Sequence, residues 1–221
     1  MEISFEQFFV EEISGEYLEA LLAQGWRRFG ETLFRYTLDH DENREEMAVI
    51  PLRINLEKFY YRKSHRKLLR RNAATQAIIT HMDINEQKRE MFRQHKQRFK
   101  YNVPTSLFNF VSYDPKVPCP TYECDLYTAE KELYAVSFID ITPQALSSIY
   151  AMFKPNYAHL SPGTHTLLAE IEYAKLQGKC FVYTGYAHRE SSHYDYKKAY
   201  PGTEYYDWDG DKWIDLAEAT F

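Results

Sequence analysis

Polar and apolar positions recur along this chain with two different periods, and the period separates helices from strands. From Ser14 to Gln24 the residues Tyr17, Leu18, Leu21 and Leu22 fall on one helical face, and Gly25 stands where that helix must stop. Residues 33–38 and 47–54 have strand composition around the polar connection 39–46, which predicts a hairpin. Residues 85–99 are helical in period but charged nearly all round, so the inward face of that helix is narrow. Beyond the proline-punctuated passage 104–120 the period falls to two. Residues 122–127 and 133–141 flank a polar turn and predict a second hairpin, 146–153 is a further apolar run, and 180–185 is a short buried strand. Between the last two, Gly163 leads into a helix over 164–176 that Gly178 closes. The order of elements in the second half predicts an α+β or α/β layer built on a mixed sheet.

The chain has 221 residues, 44% of them hydrophobic and 16% aromatic, which is enough for a sizeable core. Mean hydropathy is -0.58 and the apolar runs are short, so none reads as a membrane span. The first residues, Met1 to Glu6, carry no basic or apolar leader pattern, and a soluble, cytoplasmic protein is the expectation. Cys119, Cys124 and Cys180 are too few and too oddly spaced for a disulfide framework or a closed metal site. The net charge of -5 hides a strong asymmetry. Residues 53–100 hold 14 Lys+Arg against 4 Asp+Glu, so a segment of +10 sits in a chain whose remainder is -15. Such a segment can meet a polyanion whatever the total charge.

Two places draw attention for their chemistry. Ser161-Pro162-Gly163-Thr164 begins a helix after a strand, where free N–H groups and the helix dipole favour an anion or a carbonyl oxygen; a plain helix start with Pro in its first turn explains the same residues. Asp140 lies in an apolar strand, so its carboxylate needs a partner, either a structural cation or a substrate amine. His159, His188 and His193 have no metal-ligand spacing, and no metal or cofactor is expected.

Specific strings then resemble those of the aminoacyl-tRNA-protein transferases, the eukaryotic arginyltransferases and their bacterial leucyl-transferring relatives. In order they are Gly25-Trp26-Arg27-Arg28, Pro51-Leu52-Arg53-Ile54, Ser64 and Arg66 with Arg70-Arg71-Asn72, Phe138-Ile139-Asp140, Leu146 to Tyr150, Pro155, Leu160 to Thr164, Tyr183 with Gly185-Tyr186, and Tyr196-Lys197. The resemblance spans nearly the whole chain. It departs from the family at residues 39–46, where members carry a cysteine cluster and this chain has none, and at Ser191 and Tyr194, where they often have Cys and Met.

The resemblance implies an α+β, N-acetyltransferase-like (GNAT-like) mixed-sheet core over 76–221, with a family-specific N-terminal region over 1–75. It implies transfer of leucine or arginine from aminoacyl-tRNA to a polypeptide N-terminus beginning with Asp or Glu. The ester donor is already reactive, so positioning and oxyanion stabilisation supply most of the catalysis. Backbone N–H groups near Ser161, Gly163 and Thr164, helped by the hydroxyl of Tyr150 or Tyr196, are expected to face the ester carbonyl. Lys197, Arg70 and Arg71, with Asn72 beside them, are the candidates to hold the acceptor's carboxylate, and Asp140 to hold a substrate amine. Arg62, Lys63, Arg66 and Lys67 are expected to meet tRNA phosphates, as are Lys88, Arg89, Arg93, Lys96, Arg98 and Lys100 on the later charged helix. Two alternatives remain. An acyl-CoA-dependent N-acetyltransferase would share the fold, but the chain lacks the glycine-rich donor loop and has only Gly163 there. A catalytically silent homologue that binds tRNA or N-termini would look the same in sequence.

Overall fold

A computed structural model describes residues 5–40, 45–100, 102–191 and 195–219. The predicted first helix forms as α1 (Gly15–Ala23), because Ser14 accepts a hydrogen bond from the Tyr17 N–H and caps it. Around it a small antiparallel sheet is made by β1 (Phe5–Phe9), β2 (Arg27–Phe29) and β3 (Thr32–Tyr36), in the order β1-β3-β2.

Among the described residues nine strands form the main sheet: β4 (Leu38–His40), β5 (Glu46–Asn55), β6 (Gln76–His81), β7 (Thr121–Tyr127), β8 (Leu133–Ile141), β9 (Ala145–Phe153), β10 (Phe181–His188), β11 (Thr203–Asp207) and β12 (Lys212–Asp215). Their order is β12-β11-β5-β10-β9-β8-β7-β6, with β4 paired to part of β5. The expected hairpin over 33–54 is therefore divided. Residues 38–40 pair with β5, while residues 32–36 leave for the small sheet; the connection 41–44 lies outside the described residues. β5 precedes residue 75 yet hydrogen-bonds between β10 and β11, so the N-terminal third of the chain supplies an interior strand.

The helix α4 (Pro162–Leu176) crosses from β9 to β10, which makes those two strands parallel while the other neighbours are antiparallel. On one sheet face α4 places Leu167, Leu168, Ile171 and Ala174 against Ile139, Leu146 and Val182. α2 (Lys63–Arg71) lies on the same face and is anchored by His65 and Leu68. The opposite face takes α3 (Glu86–Lys96), with Met91 and Phe92 over Val136, Phe138 and Met152, and α1, with Leu18, Leu21 and Leu22 near Ala145 and Tyr183. The split follows from strand alternation, since Leu146 and Val182 point one way and Ala145 and Tyr183 the other.

The basic run 62–71 folds over most of its length as α2, because His65, Leu68 and the half-buried Leu69 share one helical face. One expectation changes here. On α3, Lys88 is no phosphate contact. It is buried, ion-paired with Glu123 and 3.2 Å from Asp125, while Arg93 is paired with Glu86 and Glu90.

Candidate active site

The start of α4 is unusual in its backbone. Ser161, in the left-handed region at φ 53°, gives no side-chain cap to the helix; its Oγ accepts instead from Arg71 Nη2 at 2.9 Å. Asn72 Nδ2 donates to the Leu160 carbonyl at 3.0 Å, so the end of α2 and the start of α4 are joined twice. The backbone N–H groups of Gly163 and Thr164 make no hydrogen bond among the described residues. A Cβ built on Gly163 would meet nothing within 4 Å, so the space above it is open and the protein's own packing does not require a glycine there. Tyr196, on the short helix α5 (Asp195–Lys198), is 48% exposed, and Tyr200 just beyond that helix packs in the same core cluster as Leu167 and Leu168 of α4. Ser161, Gly163, Thr164, Arg71, Asn72 and Tyr196 thus gather on one side of the sheet.

Arg62, Lys63, Arg66, Lys67 and Arg70 are exposed along α2 and lead toward that start. α2 is held in place through His65, which stacks between Phe59 and Tyr200.

The second feature is a notch in the sheet. β9 and β10 pair only through Ala145–Ser147 and Phe181–Tyr183, although both strands run on. A bulge in β9 beyond this point leaves Ile149 without a partner on β8, because Phe138 faces Tyr150 and Ile139 faces Ser148. Arg27 enters the notch from β2. Its Nη2 donates to the freed Ile149 carbonyl at 2.7 Å, and its guanidinium lies 4.6 Å from the centre of the Phe29 ring. Gly185, at φ 86°, makes room for it, since a Cβ there would stand 2.7 Å from Arg27 Cζ.

Lys197 comes to the notch from the α4 side, only 9% exposed, with Nζ donating to the Tyr186 carbonyl at 3.2 Å. Burial, aided by the charge of Arg27, pushes its ammonium down to about 7, and Glu170 opposes the shift. Glu170, buried on α4, is itself pushed up to about 7 by desolvation, against the hydroxyls of Ser137 and Ser148 and the charge of Lys197. The two form a coupled internal pair rather than a pair of surface charges.

Three sequence candidates fall elsewhere. Lys197 does not lie in a polar surface loop; it sits on α5 with its ammonium turned inward. Asp140 is 1% exposed, and both its oxygens are taken by Arg28, at 3.0 Å from Nε and 2.5 Å from Nη2, while Arg28 also donates to Gly30 O and Thr121 Oγ1. It holds the small sheet to the large one, and its burial closes it to a substrate amine. Tyr150 lies on the α3 side, stacked on Phe110 at 3.9 Å with its hydroxyl buried, so it cannot share a carbonyl with the N–H groups of α4. Sequence reading overlooked Arg27 and Glu170. Glu170 had a signal, an acidic residue on the buried Leu167, Ile171 and Ala174 face of its helix; Arg27 had none beyond its string. Of the three histidines, His193 lies outside the described residues, His188 is 3.4 Å from Asp39 and His159 is exposed; among the described residues no cluster of three potential metal ligands occurs.

Known proteins show what the chain is similar to. An aspartate/glutamate leucyltransferase of Xylella fastidiosa is 28% identical over 200 residues, 87% of this chain and 76% of the relative. One from Campylobacter jejuni is 28% identical over 207 residues, covering 90% and 83%. Among solved structures FemX superposes with a TM-score of 0.54 at 11% identity, over 92% of this chain and 69% of its own, which shows the N-acetyltransferase-like fold. The family model described as arginine-tRNA-protein transferase, C terminus, matches residues 60–207, from the segment before α2 to the end of β11, and the chain belongs to that family of aminoacyltransferases.

Proposed function

We propose that the chain moves leucine from leucyl-tRNA to the N-terminal α-amine of cytoplasmic polypeptides that begin with Asp or Glu. The observation that carries this reading is the joint between a basic helix and an uncapped helix start, Arg71 to Ser161, which brings a phosphate-binding surface up to free N–H donors. The choice of leucine follows the names of the relatives from Xylella and Campylobacter. No helix among the described residues is long and apolar enough to cross a membrane.

The chemistry is simple to balance. An α-amine titrates at about 7.7–8.0, so a useful fraction is unprotonated at neutral pH. Its nitrogen attacks the ester carbonyl carbon, a C–N bond forms, and the carbonyl oxygen takes the negative charge. Collapse breaks the bond to the ribose oxygen, which accepts the proton that the attacking nitrogen gives up. The Gly163 and Thr164 N–H groups, with the positive end of the α4 dipole, suit the developing oxyanion, and Tyr196 is the nearby exposed hydroxyl. The exposed cations of α2 suit the phosphates of the acceptor stem.

The test is label transfer. A peptide beginning with Glu is incubated with the protein and tRNA charged in turn with radiolabelled leucine and arginine, and the leucine label is expected on the peptide. Transfer of arginine alone would change the donor. Failure with both, together with label taken from acetyl-CoA, would replace the reading by N-acetyl transfer.

A further inference from the structure

Beneath α3 the protein buries more negative charge than it matches. Glu123 and Asp125 stand two apart on β7, so both side chains leave the same sheet face, and both meet Lys88 of α3. Glu123 accepts from its ammonium, Asp125 lies 3.2 Å from it, and all three residues are at most 5% exposed. The ammonium also donates to the Asp83 carbonyl at 3.0 Å, and Asp125 accepts from the Tyr127 hydroxyl at 3.1 Å. Glu123 Oε2 and Asp125 Oδ1 are left buried with no hydrogen bond among the described residues. On the neighbouring strands Thr80 and Phe138 stand opposite Glu123, and Ile78 and Val136 opposite Asp125, so those positions of β6 and β8 bring no charge. Asp83, just before α3, also bears on Asp125, and it is acidic. One cation thus serves two buried carboxylates.

We propose that Glu123 and Asp125 hold one proton between them at neutral pH, and that this proton, together with Lys88, fastens α3 to β7 and releases it as pH rises. With the proton in place the cluster is neutral. One carboxylate balances the ammonium, and the other is a carboxylic acid whose hydroxyl can donate to an oxygen otherwise left without a partner. Without the proton a second negative charge is confined where the cation is already shared, which is costly in a buried place. Two carboxylates held side by side on one ammonium do not both ionise readily. The direction of each shift agrees: burial and the neighbouring Asp125 push Glu123 up to about 7 against the pull of Lys88, and burial raises Asp125 against Lys88 and Tyr127. The titration belongs to the pair rather than to either residue. The fastening also has an output. Lys88 lies in the first turn of α3, one turn before Met91 and Phe92, which cover Val136, Phe138 and Met152, and the Phe92 ring meets Tyr150 of β9 at 6.2 Å. A looser α3 therefore uncovers one face of β9, the strand that borders the notch.

The experiment follows urea unfolding between pH 6 and pH 8 for wild type, Glu123→Gln and Asp125→Asn, with amide exchange of residues 86–96 measured in each. The folded pair takes up its proton more readily than the same side chains in the unfolded chain. The stability it lends is therefore complete below the ordinary carboxyl value of 4.5 and is lost as pH climbs through about 7. The wild-type folding constant, taken relative to Glu123→Gln, is expected to fall roughly tenfold from pH 6 to pH 8. Protection of the α3 amides, relative to the same variant, should fall with it. His95, His165 and Glu170 titrate in all three proteins and cancel. Asp125→Asn should lose the dependence too, because Glu123 then ionises against an unshared Lys88, and it serves if the Gln variant does not fold. A ratio of wild type to variant that stays constant with pH overturns the proposal. So does a folded Asp125→Asn that keeps the wild-type dependence, and so does α3 protection that does not follow the change in stability.

Discussion

Arg71 Nη2 stands 2.9 Å from Ser161 Oγ, and this contact fastens the last turn of a basic helix to the first turn of α4. On the proposed reading, a tRNA held along α2 would be delivered at a fixed offset from the Gly163 and Thr164 N–H groups, and the neighbouring hydrogen bond from Asn72 to Leu160 would help hold that offset.

The first prediction concerns that helix. Each phosphate neutralised by an exposed cation releases counterions, so affinity for tRNA should fall steeply with salt. Replacing Arg66 and Arg70 together by Ala should weaken binding and flatten the plot of log affinity against log salt by up to about two contacts' worth. Filter binding between low and physiological salt checks it; an unchanged slope in the folded double variant removes α2 from the tRNA surface.

The second follows from the inward turn of Lys197. Lys197→Ala leaves Glu170 buried without its cation, so it should lower stability and depress Glu and Gln peptides alike. Adding Glu170→Gln should restore part of the stability, since neighbouring charged groups couple by about 0.5–3 kcal/mol. Urea unfolding of the two single variants and the double variant measures the coupling. A Lys197→Ala protein of wild-type stability that loses only the Glu peptide would make Lys197 the acceptor's reader after all.

The third is a pH dependence. His165, on α4, shares a hydrogen bond of 2.8 Å between its Nδ1 and the Tyr134 hydroxyl, and desolvation with the nearby charge of Arg71 lowers it to about 4. Its folded value lies below the unfolded 6.5, so the stability it permits is complete above 6.5 and is lost as pH falls toward 4. Between pH 7 and 5 that loss is about 2 kcal/mol. His165→Gln removes it. The stability difference between wild type and variant should therefore shrink by that amount over the interval, while His95, Glu123 and Glu170 titrate in both proteins and cancel. A constant difference would show that His165 takes up its proton normally in the folded state.

Much of the fold could be read from periodicity. The β7–β8 hairpin, β9, α4 and β10 lie within a few residues of their predicted bounds, because they are long and two of them have one face wholly buried. β6 was missed because Gln76, Ala77, Ile78, Thr80 and His81 are exposed on an edge strand, where packing imposes little alternation. The candidate site was half legible. Residues that meet at the start of α4 stand close to it in sequence or in recognisable strings. The notch was not, because it depends on Ser148, Ile149, Gly185 and an arginine more than a hundred residues away, and on a bulge that no local pattern marks. Asp140 and Lys197 show the opposite failure. Their sequence contexts announce polar importance, but only the packed structure shows that the charge each one meets is internal.

β2 is three residues long and ends in the two-residue turn Gly30-Glu31, with Gly30 at φ 54° in the first turn position, where a type II′ hairpin places glycine. Side chains alternate along it, so Arg28 enters the buried pair and Arg27 the notch. A gain or loss of one residue between 25 and 30 would exchange the two positions, sending Phe29 or Arg27 toward Asp140 and emptying the notch of its cation. Substitutions in this stretch can be graded, while changes of length cannot, so evolution has more freedom over what β2 contains than over how many residues it has.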